Sequence, residues 1–148
     1  MIDKRALAVS RRQAAGIVLV RNVGEWRFLI LRAYRNWDFP KGEVGIDENV
    51  LDAAFREVAE ETSLRRDEIG FPWGERFIET EPYSGGKVAR YYLGLAQREE
   101  IRLLINPALG RAEHHEYRWA SYGDAQSLLV PRLQRVLRWA MEIVAHAG

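Results

Sequence analysis

The sequence predicts an α+β domain, and three observations carry that expectation. The chain has 148 residues, 47% hydrophobic and 29% charged, an ordinary composition for a folded domain with one sizeable core. Short apolar runs of strand length flank two turn signals, Asn22-Val23-Gly24 and Ser84-Gly85-Gly86. Two longer segments have helical character: 49–62, which contains no Gly or Pro, and the stretch opened by Pro131.

Each element follows from local chemistry. Residues 14–20 read as a buried strand, short, apolar and partly β-branched, and 26–31 as its hairpin partner. Residues 33–47 read as a loop carrying aromatic residues, Pro40 and two glycines. The helix at 49–62 is rich in Ala, Leu, Glu and Arg, all good helix formers. Residues 76–81 and 87–96 read as strands around the Gly-Gly tip, followed by a short strand at 116–119 and a short helix at 122–129. Pro131 suits the first turn of a final helix. There Leu133, Val136, Leu137, Ala140, Met141 and Val144 keep helical spacing and read as a core stripe. With no repeat and no Pro/Gly/Ser-rich linker, residues 1–148 read as a single domain, with a start frayed up to about Arg12.

Charge and composition narrow the function. Lys and Arg number 22 against 21 acids, a net charge of +1, which gives no strong nucleic-acid footprint. No apolar run approaches the roughly 18 residues that span a bilayer, and the first residues lack a signal-peptide core. With 0 Cys there is no disulfide framework, thiolate metal site or thiol nucleophile, and a cytoplasmic, reducing setting is expected. Oligomeric state is not legible in these features.

The most informative segment runs from Trp37 to Leu64. At about 100° per residue, Glu61 lies about 40° to one side of Glu57 and Glu60 about 60° to the other. Three carboxylates thus share one helical face, while Leu51, Phe55 and Val58 gather on another and are expected to pack on a sheet. Ala53, one turn before Glu57, is expected to leave space above the carboxylates. Like charges one turn apart cost a few tenths of a kcal/mol, and they sit where the helix dipole disfavours anions. Arg56 offsets part of this, and a divalent cation would offset more; an oxygen-rich cluster suits Mg²⁺ or Mn²⁺. From the helix alone, a solvated Glu-rich face is the favoured reading of the pattern.

These residues resemble the signature of the Nudix hydrolase family, G-x5-E-x7-R-E-U-x-E-E-x-G-U, with U a bulky aliphatic residue. Gly42, Glu48, Arg56, Glu57, Val58, Glu60, Glu61 and Leu64 match it, and Ser63 stands where the family usually has Gly. WDFPKG at 37–42, KVARYYL at 87–93 and EHHEYRW at 113–119 resemble segments of the asymmetric diadenosine tetraphosphate hydrolases within that family. The resemblance implies a Nudix-type α/β/α sandwich, with a mixed sheet packed between helices. It implies metal-dependent attack of water on phosphorus in nucleoside diphosphates linked to another group, most specifically diadenosine tetraphosphate cleaved to ATP and AMP.

By the resemblance, Glu57, Glu60, Glu61 and the Gly42 carbonyl are candidate ligands of Mg²⁺ or Mn²⁺. Glu113 is a further candidate for the metal or for the base, and Arg56 orients the loop and the carboxylates. Lys41, Lys87 and Arg32 are candidate phosphate contacts, and Tyr83 and Tyr92 candidate stacking partners for a purine. Tyr91 and Tyr92 alternate along one strand, so one of the two is expected to face the core. Trp119 reads as core. His114 and His115 point opposite ways in an extended segment and do not share one ion; they read as loop or substrate contacts. Rival readings are a 5′-triphosphate RNA end or a nucleoside triphosphate as substrate, and a non-catalytic nucleotide-binding module. Related RNA pyrophosphohydrolases usually carry Gln after the loop proline, where this chain has Lys41. The complete acidic set argues against the non-catalytic module.

Overall fold

The structure is a computed structural model that describes residues 12–146. The frayed start expected up to Arg12 therefore falls, but for Arg12 itself, outside the described residues. Ten strands are formed among the described residues: β1 (Gln13–Asn22), β2 (Trp26–Ala33), β3 (Asn36–Asp38), β4 (Lys41–Glu43), β5 (Ile69–Gly70), β6 (Phe77–Glu79), β7 (Val88–Ala96), β8 (Ile105–Asn106), β9 (Arg111–Ala112) and β10 (Glu116–Ser121). Three α-helices accompany them: α1 (Val50–Thr62), α2 (Tyr122–Leu128) and α3 (Pro131–His146).

The main sheet runs β10-β2-β1-β7-β5, with β3 on β2, β4 on β1 and β6 on β7. β1 and β7 are parallel from Gln13/Val88 to Val20/Leu95, and the other pairings are antiparallel, so the sheet is mixed. Residues 14–20 are buried without interruption, because β1 is covered on both faces. Val18 and Val20 join α2 and α3 residues such as Leu133 and Val136 in one core, and Ile17 and Leu19 join Ala54, Phe55 and Val58 of α1 in the other. Each such aliphatic side chain contributes about 1.5–3 kcal/mol when fully buried. The layers are helix, sheet, helix, as expected.

Several details depart from the sequence reading. Residues 33–47 are not all loop, since β3 and β4 lie within them. Three-residue strands leave no period to read, and Pro40 and Gly42 argue locally against any strand. Ala53 leaves no space above the carboxylates; it is fully buried, and its small size lets α1 approach the sheet. Trp119 is half-buried at the edge of the α1-side core, with Nε1 donating to the Glu99 carbonyl at 2.8 Å.

Helix α1 is capped at both ends. The Asn49 side chain accepts from the amides of Leu51 and Asp52 at 2.9 and 3.1 Å, a cap worth about 1 kcal/mol. Ser63 ends the helix at φ 69°, the left-handed conformation that glycine adopts at no steric cost. Arg98 donates to both the Ser63 carbonyl and hydroxyl, at 3.0 and 2.9 Å, which offsets part of that strain.

β1 and β2 pair only from Val20/Phe28 to Asn22/Trp26 and then part. Beyond that point β4 lies on β1 and β3 on β2, so the segment joining them sits in a fork of the sheet. Gly16 faces Lys41 there, and a Cβ at Gly16 would collide with the Pro40 carbonyl and the Lys41 side chain. We expect Gly16→Ala to cost about 1–3 kcal/mol by overpacking. Gly123→Ala, where nothing lies within 4 Å of the added Cβ, is the neutral comparison. Equal denaturant midpoints for the two variants would contradict this account of the fork.

Candidate active site

The site forms where α1 crosses β4. Gly42 faces Glu57 so closely that a Cβ there would overlap the carboxylate, so this position has no room for a side chain. Arg56 is the hub of the acidic helix. Its Nε donates to Glu48 Oε2 at 2.8 Å, Nη1 to Glu57 Oε1 at 2.8 Å and to Glu60 Oε1 at 3.2 Å, and Nη2 to the Glu43 carbonyl at 2.9 Å. One guanidinium thus ties the approach loop to two of the three helical carboxylates, using its fixed fork of donors.

Glu61 stands apart from Arg56 and is 8% exposed. Its Oε1 accepts from the Lys41 amide at 3.0 Å, and its Oε2 is 3.8 Å from His114 Nδ1. Burial pushes the Glu61 carboxyl well above the usual carboxylate range, and the charges of Glu113, Glu57 and Asp38 push it the same way. Burial also raises Glu57, against the pull of Arg56. His114 is pushed down by burial, in spite of Glu113 beside it. Ligand atoms of Glu61, Glu113 and His114 lie within 4.8 Å of one another, a donor set of two carboxylates and an imidazole. Such a set fits a divalent cation, which would relieve the charge gathered there. Glu57 and Glu60 are not part of that group of three.

A cavity of about 390 Å³ opens beside these groups. Glu60, Glu61, Glu113 and His114 line it together with residues 103–107, on the approach to and start of the β8–β9 hairpin. The 103–107 stretch carries the exposed side chains of Leu104 and Ile105. Periodicity gave no signal for it, because the hairpin strands have two residues each. From the sequence, His114 reads only as a loop or substrate contact. Its side chain is 12% exposed and turned to Glu61, while His115 is exposed, with its ring 5.0 Å from Tyr34.

The remaining candidates scatter. Arg32 is bonded to Glu116 Oε1 at 2.9 Å and to the Tyr34 carbonyl at 2.7 Å, away from the cavity lining. Lys87 Nζ is 3.7 Å from Glu43 Oε1, and Lys87 is not among the residues that line the cavity. Lys41 Nζ is 3.3 Å from Asp38 Oδ2. Tyr83 is half-buried, with the Arg132 guanidinium 3.8 Å from its ring centre. Tyr92 corrects the expectation for a stacking partner: it is 5% exposed, with Phe71 and Phe77 against its ring. Tyr91 is buried too, because β7 is covered on both faces, so neither tyrosine presents a ring to solvent.

The Arg56 lock should weaken in acid. Hydrogen bonds from Arg56 and then from the Gly45 amide hold the Glu48 carboxyl down at about 2, against an ordinary 4.5. A carboxyl depressed in the folded state binds fewer protons there than in the unfolded chain. Its stabilisation is complete above the ordinary value and is lost as pH falls through the folded one. Thermal stability should therefore drop between about pH 5 and pH 2, and Glu48→Gln should remove part of that drop. Melting profiles with the same acid slope in both proteins would refute the lock.

Comparison with known proteins agrees with this geometry. A NUDIX domain model matches residues 10–140. The RNA pyrophosphohydrolase of Pseudomonas putida is 26% identical over 148 aligned positions, covering 90% of this chain and 91% of that protein. The C. elegans Ap4A hydrolase, in a binary complex, superposes with a TM-score of 0.76 at 24% identity, over 90% of this chain and 98% of that one. A second structure of that hydrolase gives 0.68 at 26% identity, over 86% and 94%. On the fold, the acidic box and the family match together, the chain belongs to the Nudix hydrolase family.

Proposed function

We propose that this Nudix hydrolase cleaves dinucleoside polyphosphates, diadenosine tetraphosphate above all, to ATP and AMP, with Mg²⁺ or Mn²⁺ bound and in a cytoplasmic setting. The observation that carries the hydrolytic reading is the convergence of Glu61, Glu113 and His114 with Glu60 at one cavity. The bound ion supplies charge neutralisation for phosphoryl transfer. Glu57, Glu60, Glu61, Glu113 and the Gly42 carbonyl are the proposed ligands, and Arg56 orients the helical carboxylates. Water adds to phosphorus, the anhydride P–O bond breaks, and the proton passes to a carboxylate, for which exposed Glu113 is the proposed acceptor. Lys87 is the proposed phosphate contact.

Two observations support a dinucleoside substrate: the likeness to C. elegans Ap4A hydrolase, and the apolar Leu103, Leu104 and Ile105 lining the same cavity as the acids, which suit a nucleoside beside a polyphosphate. RNA 5′-pyrophosphohydrolysis is the second reading, favoured by the Pseudomonas putida relative.

Glu61→Gln separates fold from function. Gln retains an oxygen for the Lys41 amide but removes a buried charge. A carboxyl raised in the folded state binds more protons there than unfolded, so its charge lowers stability as pH rises past the ordinary value. The variant should lose activity about 100-fold or more, while its metal-free Tm at pH 8 rises above wild type. Undiminished Mg²⁺-dependent hydrolysis would remove Glu61 from the mechanism.

Product analysis decides the substrate. With Mg²⁺, diadenosine tetraphosphate should give ATP and AMP faster than triphosphorylated RNA releases pyrophosphate. Lys87→Met should raise KM for the tetraphosphate more than for a nucleoside diphosphate sugar, whose shorter phosphate chain offers that cation less charge. Faster turnover of the RNA would replace the leading reading with the second.

A further inference from the structure

Asp38, Lys41 and Tyr91 form a polar chain behind the acidic site. The fully buried Tyr91 donates from its hydroxyl to Asp38 Oδ1 at 2.9 Å, and the Phe39 amide donates to the same oxygen at 2.6 Å. The other oxygen, Oδ2, faces Lys41 Nζ at 3.3 Å. Only a fifth of the Lys41 side chain is exposed. From the same residue, the backbone amide donates to Glu61 Oε1 at 3.0 Å. The Lys41 ammonium and the Lys41 amide therefore face two different carboxylates.

We propose that Lys41 is a positioning residue, whose ammonium is pinned by Asp38 so that its amide holds the Glu61 carboxylate in its ligand orientation, and that it is not a phosphate contact. The inference rests on the reading of Glu61 as a metal ligand. Tyr91 completes the device by fixing Asp38 from the core. Outer-shell groups that orient metal ligands typically change metal affinity by about 10–100-fold when removed.

Electrostatics makes the test sharp. Deleting a positive charge near a cation site should tighten cation binding by Coulomb's law alone. Loss of positioning should weaken it. The measurement is Mn²⁺ binding to the full chain without nucleotide, followed by the EPR signal of the free ion, for wild type, Lys41→Met and Tyr91→Phe. Lys41→Met should weaken Mn²⁺ binding by about 3–10-fold, below the usual outer-shell range because the two effects oppose. Tyr91→Phe, which alters no charge, should weaken it in the same direction. Unchanged or tighter Mn²⁺ binding by Lys41→Met, with a raised KM for diadenosine tetraphosphate, would overturn the proposal and make Lys41 a phosphate contact. If Lys41→Met does not fold, Tyr91→Phe decides: a lower Tm with unchanged Mn²⁺ affinity overturns it. A wild-type protein that binds no Mn²⁺ would instead sink the metal reading of Glu61, a result distinct from failure of either variant.

Discussion

The site depends on how tightly the three-residue strand β4 is pressed between β1 and α1. Two missing side chains permit this approach. Gly16 lets the backbone at Pro40 and Lys41 lie against β1, and Gly42 lets the Glu57 carboxylate lie against β4. With β4 at that depth, the Lys41 amide reaches Glu61 and the Glu43 carbonyl reaches Arg56. A Cβ at either glycine would move the strand outward and separate helix from loop. Close packing of this kind transmits displacement rather than absorbing it.

Electrostatics works against folding at the same place. Glu57 and Glu61 are both raised, chiefly by burial, with neighbouring carboxylates adding to the effect. Arg56 offsets the charge of Glu57 and Glu60 but makes no bond to Glu61. The buried acid is held instead by one backbone amide, with an imidazole 3.8 Å away. An acidic site left under-neutralised by its own chain retains affinity for a cation, and the well-packed cores on both faces of the sheet supply the stability that this arrangement requires.

Much of this was legible in the sequence, for identifiable reasons. The strands at 14–20 and 26–31 and the helices beginning near Asn49 and at Pro131 announce themselves by burial pattern, caps and period. The acidic face of α1 follows from helical geometry, and the family resemblance came from spacing within it. What stayed hidden is long-range or short in sequence. Nothing local distinguishes β3 and β4 from loop, or shows that Leu103, Leu104 and Ile105 line the same cavity as the acids. Asp38 is one acid among 21 acidic residues until Tyr91, 53 positions away, is seen donating to it. Tyr92 misled because alternation predicts opposite directions but not whether both sides are covered.

The parallel β1–β7 pair has a consequence for how the molecule is made. Its partners lie 75 residues apart, as in Gln13 and Val88. The central pairing cannot form until well over half of the chain has been synthesised, and closing so long a loop costs entropy before any contact repays it. Until then β1, a run of seven buried residues in the finished fold, has only the β2 hairpin and β4 as partners. A strand with seven consecutive buried residues thus waits for residues 88–96 before its set of neighbours is complete. That interval, rather than any weakness of the finished sheet, is where self-association threatens the nascent chain.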